Sequence, residues 1–235
     1  MLNYIPILTT CFSCFFFIKI FNHYRSKNSS TYLFWWKIGV LTFGLGTLTE
    51  SLNVLIGWSP FNTRVWYVVG ALLGGFPLAQ GTIYLLMKKR VADVLTIIFL
   101  TIIIVASICV FLTPITIPEA FNYQLTGKVF DWKWVRLFSP IINIYSFVFL
   151  VGGALYSAFK YIKDKNAKSK SIGNICIAIG ALLPGIGGTY TRMGYVHVLF
   201  VTELIGLLLI YIGYITIKND STVSVHENQK INFPN

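Results

Sequence analysis

The sequence predicts an all-α integral membrane protein with seven transmembrane helices. It further predicts the N-terminus outside, the C-terminus cytoplasmic, and a 3+1+3 parallel repeat. Three observations carry this. Of the 235 residues, 55% are hydrophobic and only 11% are charged, about half the charged share of a soluble domain. Apolar stretches of the ~20 residues needed to cross ~30 Å of hydrocarbon recur along most of the chain. They are continuous and lack in/out alternation, so they read as helices rather than barrel strands. Basic residues, finally, fall in the short connections on alternate sides.

The first span is Tyr4 to Phe21. It lacks a charged leading region and a small-residue cleavage pattern, so it reads as a span and not as a removed signal. The polar loop His23 to Ser30 follows, then a second span from Tyr32 to Gly57 with Trp35 and Trp36 as interface anchors. Ser59 and Pro60 open a tight turn into the third span, Arg64 to Met87, which Lys88, Lys89 and Arg90 stop. The fourth span, Val91 to Ile115, is bulky and nearly featureless, as suits a helix facing lipid. After the loop Thr116 to Trp134 come the fifth span, Val135 to Tyr161, and the basic loop KDKNAKSK. The sixth span, Ser171 to Tyr190, is interrupted by LLPGIGG, and the seventh is Val196 to Ile217. Residues 1–217 form the membrane domain, and Lys218 to Asn235 a disordered cytoplasmic tail.

Orientation follows from counting charges. One side holds Lys19, Arg25, Lys27, Lys37, Lys88, Lys89, Arg90, Lys160, Lys163, Lys165, Lys168, Lys170, Lys218 and Lys230. The other holds Arg64, Lys128, Lys133, Arg136 and Arg192. The richer side is cytoplasmic. The net charge of +11 is thus a property of the loops and suits anionic headgroups rather than nucleic acid. The expected location is the cell membrane. The expected partners are the lipid bilayer and a small-molecule ligand, with a homo-oligomer admitted and nucleic acid excluded. Cys11, Cys14, Cys109 and Cys176 all lie inside spans. The loops hold no second cysteine pair for a redox relay, so these are read as small buried hydrophobes.

Ile38-Gly39 to Gly46-Thr47-Leu48 can be laid on Ile172-Gly173 to Gly180-Ala181-Leu182, and Gly81 then falls on Gly213. Spans one to three and five to seven would share an orientation, joined by span four. This layout is similar to that of the SWEET sugar transporters and of microbial rhodopsins. Parallel repeats of this kind hold a transporter's site at their interface. A retinal protein needs a lysine in its seventh span, and VHVLFVTELIGLLLIYIGYIT has none, so that resemblance ends at layout.

Stripes of small residues mark the inward faces: Gly39, Gly46, Glu50, Asn53 and Gly57 in span two, and Tyr67, Gly70, Gly74, Pro77, Gly81 and Tyr84 in span three. Span five shows Ser139, Asn143, Ser146, Gly153 and Ser157, span six Gly173, Gly180, Pro184, Gly187 and Thr191, and span seven Glu203, Gly206 and Gly213. Small residues alone mean close helix packing. An acid in hydrocarbon is costly and marks function by default. At 1.5 Å per residue, Glu50 and Glu203 each lie roughly 10 Å below the outer end of their spans. Cations (Arg64, Arg136, Arg192) sit near the same surface. The expected ligand-binding residues are Glu50, Asn53, Tyr67, Tyr84, Asn143, Tyr190, Arg192 and Glu203. Pro77 and Pro184 are expected to kink their helices around a cavity.

No P-loop, nucleotide fingerprint or Ser-His-Asp arrangement is present. His23, His197 and His226 are scattered, so no cofactor or metal is expected. Pro118-Glu119-Ala120 departs from the P-x-E-plus-acid motif of seven-helix carotenoid cyclases. The expected function is binding or transport of a small molecule through an outward-facing polar cavity built around the intramembrane carboxylates. The alternatives are an intramembrane enzyme using a carboxylate for acid/base chemistry on a lipid or isoprenoid, and a seven-helix sensor or partner subunit.

Overall fold

In a computed structural model the chain is almost wholly helical. The structure describes residues 2–28, 30–117, 124–164 and 167–231, and leaves the side chains of Arg192 and of residues 221–231 outside the description. Among the described residues seven helices are long and apolar enough to cross a membrane. They are α1 (Leu2–Ser26), α2 (Thr31–Leu55), α3 (Pro60–Leu86), α4 (Lys89–Leu112), α5 (Lys133–Tyr161), α6 (Lys168–Thr191) and α7 (Val196–Asp220). The chain is a multi-pass membrane protein of the all-α class.

The ends of these helices have local causes. Ser59 caps α3 by accepting from the Asn62 N–H at 3.1 Å, with Pro60 in the first turn. Just beyond α2 and α6, Gly57 and Gly194 take φ of 101° and 100°, a left-handed conformation that costs glycine little. Gly57 is therefore a turn residue and not part of the inward stripe of α2.

Helix α2 packs between α1 and α3, while α6 and α7 form a tight hairpin that joins the rest through α1 and α5. That hairpin closes on glycine. A Cβ on Gly206 would lie 2.6 Å from the Gly180 carbonyl oxygen, and one on Gly173 2.8 Å from that of Gly213. The approach answers a problem set by Pro184, which has no N–H to offer the carbonyl four residues earlier, at Gly180. The Cα of Gly206 covers that carbonyl instead. Helix α6 accordingly runs unbroken through Pro184, where the sequence predicted an interruption.

The break is in α3. A π-helical turn spans Tyr67–Leu72, residues 73–75 form a turn, and a new helix starts at Phe76 with Pro77 in its first turn. The Leu73 N–H reaches back five residues to Val68 at 2.9 Å. The Ala71 carbonyl at the break accepts from Ser139 Oγ and Asn143 Nδ2 of α5, both at 3.2 Å. A second π turn, Phe147–Val151, lies in α5. Beyond the break α3 becomes the most enclosed part of the bundle, with every residue from Phe76 to Ile83 buried. Gln80 is fully buried there and bridges three helices. Its Nε2 donates to the Ala92 carbonyl at 3.0 Å and to Thr96 Oγ1 at 2.6 Å, and its Oε1 accepts from the Tyr145 hydroxyl.

Helix α4 is the least buried span and faces outward, as its bulky apolar sequence predicts. The chain after it folds back on itself. Ile115 pairs with Phe130, the Thr116 N–H donates to the Val129 carbonyl, and the Trp132 N–H donates to Thr113 Oγ1. Leu125, Val129 and Phe130 are buried by this fold-back, so the segment caps one end of the bundle. Residues 118–123, including Pro118 and Glu119, lie outside the described residues.

Other expectations change. Trp36 is buried against Gly81 of α3 instead of anchoring at an interface, because a glycine opposite opens room for the indole. Cys11 and Cys14 are exposed on the outer surface of α1 rather than buried, since α1 meets α2 and α7 through its other face. The last helix continues from Ile217 to Ile231, across residues read as the start of a disordered tail. No glycine or proline interrupts that stretch.

Candidate functional site

The capped end of the bundle holds a half-open cavity of about 320 Å³, within the size range of small-molecule sites. Its floor is Glu50, an acid only 3% exposed. Five residues short of Leu55, Glu50 lies about 8 Å below the end of α2. Asn53 stands one turn above it on the same face. Across the turn after α2, Trp66 forms the facing wall, and its indole Nε1 donates to Glu50 Oε1 at 3.0 Å. Gln124 and Leu125 of the fold-back form part of the roof. The α6–α7 junction closes the far side with Thr191, His197 and Phe200, the last two rings edge-on at 6.2 Å. Asn3 comes in from the start of the chain.

Helix α7 also supplies Glu203. Its stem is half-buried but its Oε2 is fully covered, and its carboxyl group is in hydrogen-bond contact with that of Glu50. Carboxylate oxygens only accept, and no described donor reaches Glu50 Oε2 or Glu203 Oε2. A hydrogen bond across the pair therefore requires a proton carried by the pair itself. Among the described residues no basic side chain lies within ion-pair distance of either acid. Arg64, expected close by, is turned away. Its Nε donates to the Val110 carbonyl at 3.2 Å and its Nη2 to that of Thr113 at 2.7 Å, capping the C-terminus of α4.

The expected binding residues divide. Glu50 and Asn53 line the cavity and Glu203 adjoins it. Tyr67 is buried but faces the fold-back, its ring edge-on to Phe130 at 5.1 Å. One residue along a helix turns the side chain by about 100°, so Trp66 takes the cavity side. Tyr84 lies toward the opposite end of α3, donating to Asp93 Oδ1 at 2.7 Å. Asn143 is exposed and serves the break in α3. Tyr190 is exposed and packs on Tyr195. The side chain of Arg192 lies outside the described residues.

Trp66, Gln124 and Phe200 were not singled out by the sequence, whereas Thr191, read as part of the inward stripe of span six, does line the cavity. For Trp66 a signal existed: Glu50 and Trp66 are each eight residues from Trp58 in the turn, so a hairpin places them opposite one another. The cavity thus offers a carboxyl group at the floor, the amides of Asn3, Asn53 and Gln124 and the Thr191 hydroxyl around it, and the rings of Trp66, His197 and Phe200. No group of three His, Cys, Asp or Glu side chains that could hold a metal ion occurs among the described residues. Comparison with protein-family models, with curated proteins and with solved structures returns no match.

Proposed function

We propose that this chain is a cell-membrane protein that binds a small molecule in the cavity above Glu50 and moves it across the bilayer. The observation that carries the reading is a nearly fully buried acid at the floor of a half-open space lined by polar groups and aromatic rings. An ionisable group in hydrocarbon is costly and is retained where it meets a ligand, an ion or a proton. The lining comes from helix ends and from the fold-back, which favours entry from water over a sideways opening into lipid. That favours binding or transport over an enzyme drawing a lipid substrate from the bilayer.

Two features support movement. The third span is already divided at residues 73–75, with a π turn beside the break and another in α5. Discontinuous helices of this sort are where transporters place and release ligands. The α2–α3 and α6–α7 hairpins both close on glycines, Gly46 against Gly70 and Gly180 against Gly206, in keeping with two repeats joined by α4. The basic loops at the far end of the bundle support a cavity that faces outside and a C-terminus in the cytoplasm.

The test is a thermal-shift screen of the purified protein against a metabolite collection over a range of pH. Compounds that stabilise the wild type are expected to lose their effect on Glu50→Gln and on Asn53→Leu. Stabilisation unchanged in both variants would place the ligand elsewhere and end this reading.

A further inference from the structure

We infer that the Glu50–Glu203 pair makes the cavity a site for small organic ammonium ions, and that each ion bound expels one proton from the pair into the water outside. The inference rests on the cavity reading above and names its ligand class.

It starts from the chemistry of the floor. Trp66 Nε1 occupies one oxygen of Glu50. Glu50 Oε2 and Glu203 Oε2 receive no hydrogen bond from any described donor, although the two carboxyl groups touch. Once a proton is given up, the pair offers a carboxylate that only accepts, which suits a ligand rich in donors, and an ammonium group is a donor and nothing else. The walls agree, because the Trp66 and Phe200 rings border the same space and aromatic faces attract cations. The volume is far larger than a bare metal ion requires, and the described residues gather no metal-binding set.

Charge counting then gives the stoichiometry. An isolated charge in hydrocarbon is costly, so the site favours electrical neutrality whether empty or filled. With no ligand, the pair is neutral with a proton on each carboxyl group. With one ammonium ion bound, it is neutral with a single proton left. Filling the site therefore breaks one carboxyl O–H bond, the proton leaves to water, and the ligand N–H groups take over the vacated carboxylate. One positive charge enters and one departs.

Other charged or titratable groups on the surrounding elements are few. Helix α7 adds His197, which faces the same cavity. Arg64 on α3 is committed to the α4 carbonyls. Lys128 on the fold-back is exposed. Arg192 ends α6, with its side chain outside the description. Tyr4, beside Asn3, is exposed.

The probes are n-butylammonium and n-butanol, which share a carbon chain and differ in charge. Binding to the purified protein is followed by calorimetry in buffers of differing ionisation enthalpy, and proton release by an indicator dye in weak buffer. Butylammonium is expected to bind with release of about one proton while the empty pair holds both, and so up to tenfold more tightly per pH unit of rise between pH 5 and 6, by linkage of one proton to one ligand. His197→Gln should keep that slope, and the Glu50→Gln/Glu203→Gln double variant, which has no carboxyl proton left to release, should lose it. Butanol should release none. Butylammonium binding without proton release, butanol binding equally well, or a slope that vanishes in His197→Gln would each overturn the inference. The proton count needs only the wild-type protein, so it stands even where the double variant folds poorly. Failure of butylammonium to bind sinks the ligand class alone, since the metabolite screen decides the cavity separately.

Discussion

Gly206→Leu is expected to separate α6 from α7 and to cost about 3 kcal/mol or more, the upper end of what overpacking does in a closed interface. The reason is the identity of the obstructing atoms. A Cβ at position 206 would meet the Gly180 carbonyl oxygen at 2.6 Å and Pro184 Cδ at 3.0 Å. Neither is the far end of a flexible side chain, so the helices must move apart. Separation also uncovers the Gly180 carbonyl that Pro184 leaves without its helical partner, and an unsatisfied carbonyl in hydrocarbon is itself costly. Thermal unfolding in detergent reads the effect as a large fall in midpoint. Gly206→Ala should fall in the same direction by less, and a Gly206→Leu midpoint equal to the wild type would contradict the packing.

Gln80→Leu is expected to cost about 2 kcal/mol, because one fully buried side chain satisfies three groups on two neighbouring helices and leucine satisfies none. Its loss strands the Tyr145 hydroxyl and removes the bonds to Thr96 Oγ1 and the Ala92 carbonyl. Hydrogen bonds between membrane helices average nearer 0.6 kcal/mol each, so the larger figure reflects three partners lost together. Tyr145→Phe alone should cost less. In the double variant the hydroxyl that lacked a partner is gone, so the two costs should add to less than their sum. Strict additivity, measured as unfolding midpoints of the four proteins, would show that the bridge carries no energy.

How far the sequence announces this structure depends on what each residue encodes locally. Span lengths and the lysines that end them are one-dimensional facts, and seven helices follow from them. Glycines are ambiguous by nature. Gly74 reads as part of a packing stripe continuous with Gly70 and Gly81, yet with Gly75 it marks the division of α3, while Pro184, the stronger breaker on paper, sits in an unbroken helix covered by Gly206. A helix-wheel reading also carries Tyr67 to the inward face only if α3 is regular, and the π turn makes it irregular. Glu50 and Glu203 announce themselves through the cost of an acid in lipid. Their mutual contact depends on α2 and α7 being neighbours, which periodicity does not encode. Gln124 is invisible in the sequence for a related reason: it reaches the cavity through a fold-back pinned by Thr113 and Thr116, not through any helical repeat.

The central claim is that the space above Glu50 is a ligand site entered from water. Asn53→Cys tests it most directly, since position 53 lines the cavity one turn above the acid. A charged, membrane-impermeant methanethiosulfonate reagent is expected to modify this cysteine well above the background of the four native cysteines. A stabilising ligand from the screen should slow that reaction. Modification only by lipid-soluble reagents, with no protection by any ligand, would mean that the cavity opens to the bilayer and would contradict the account.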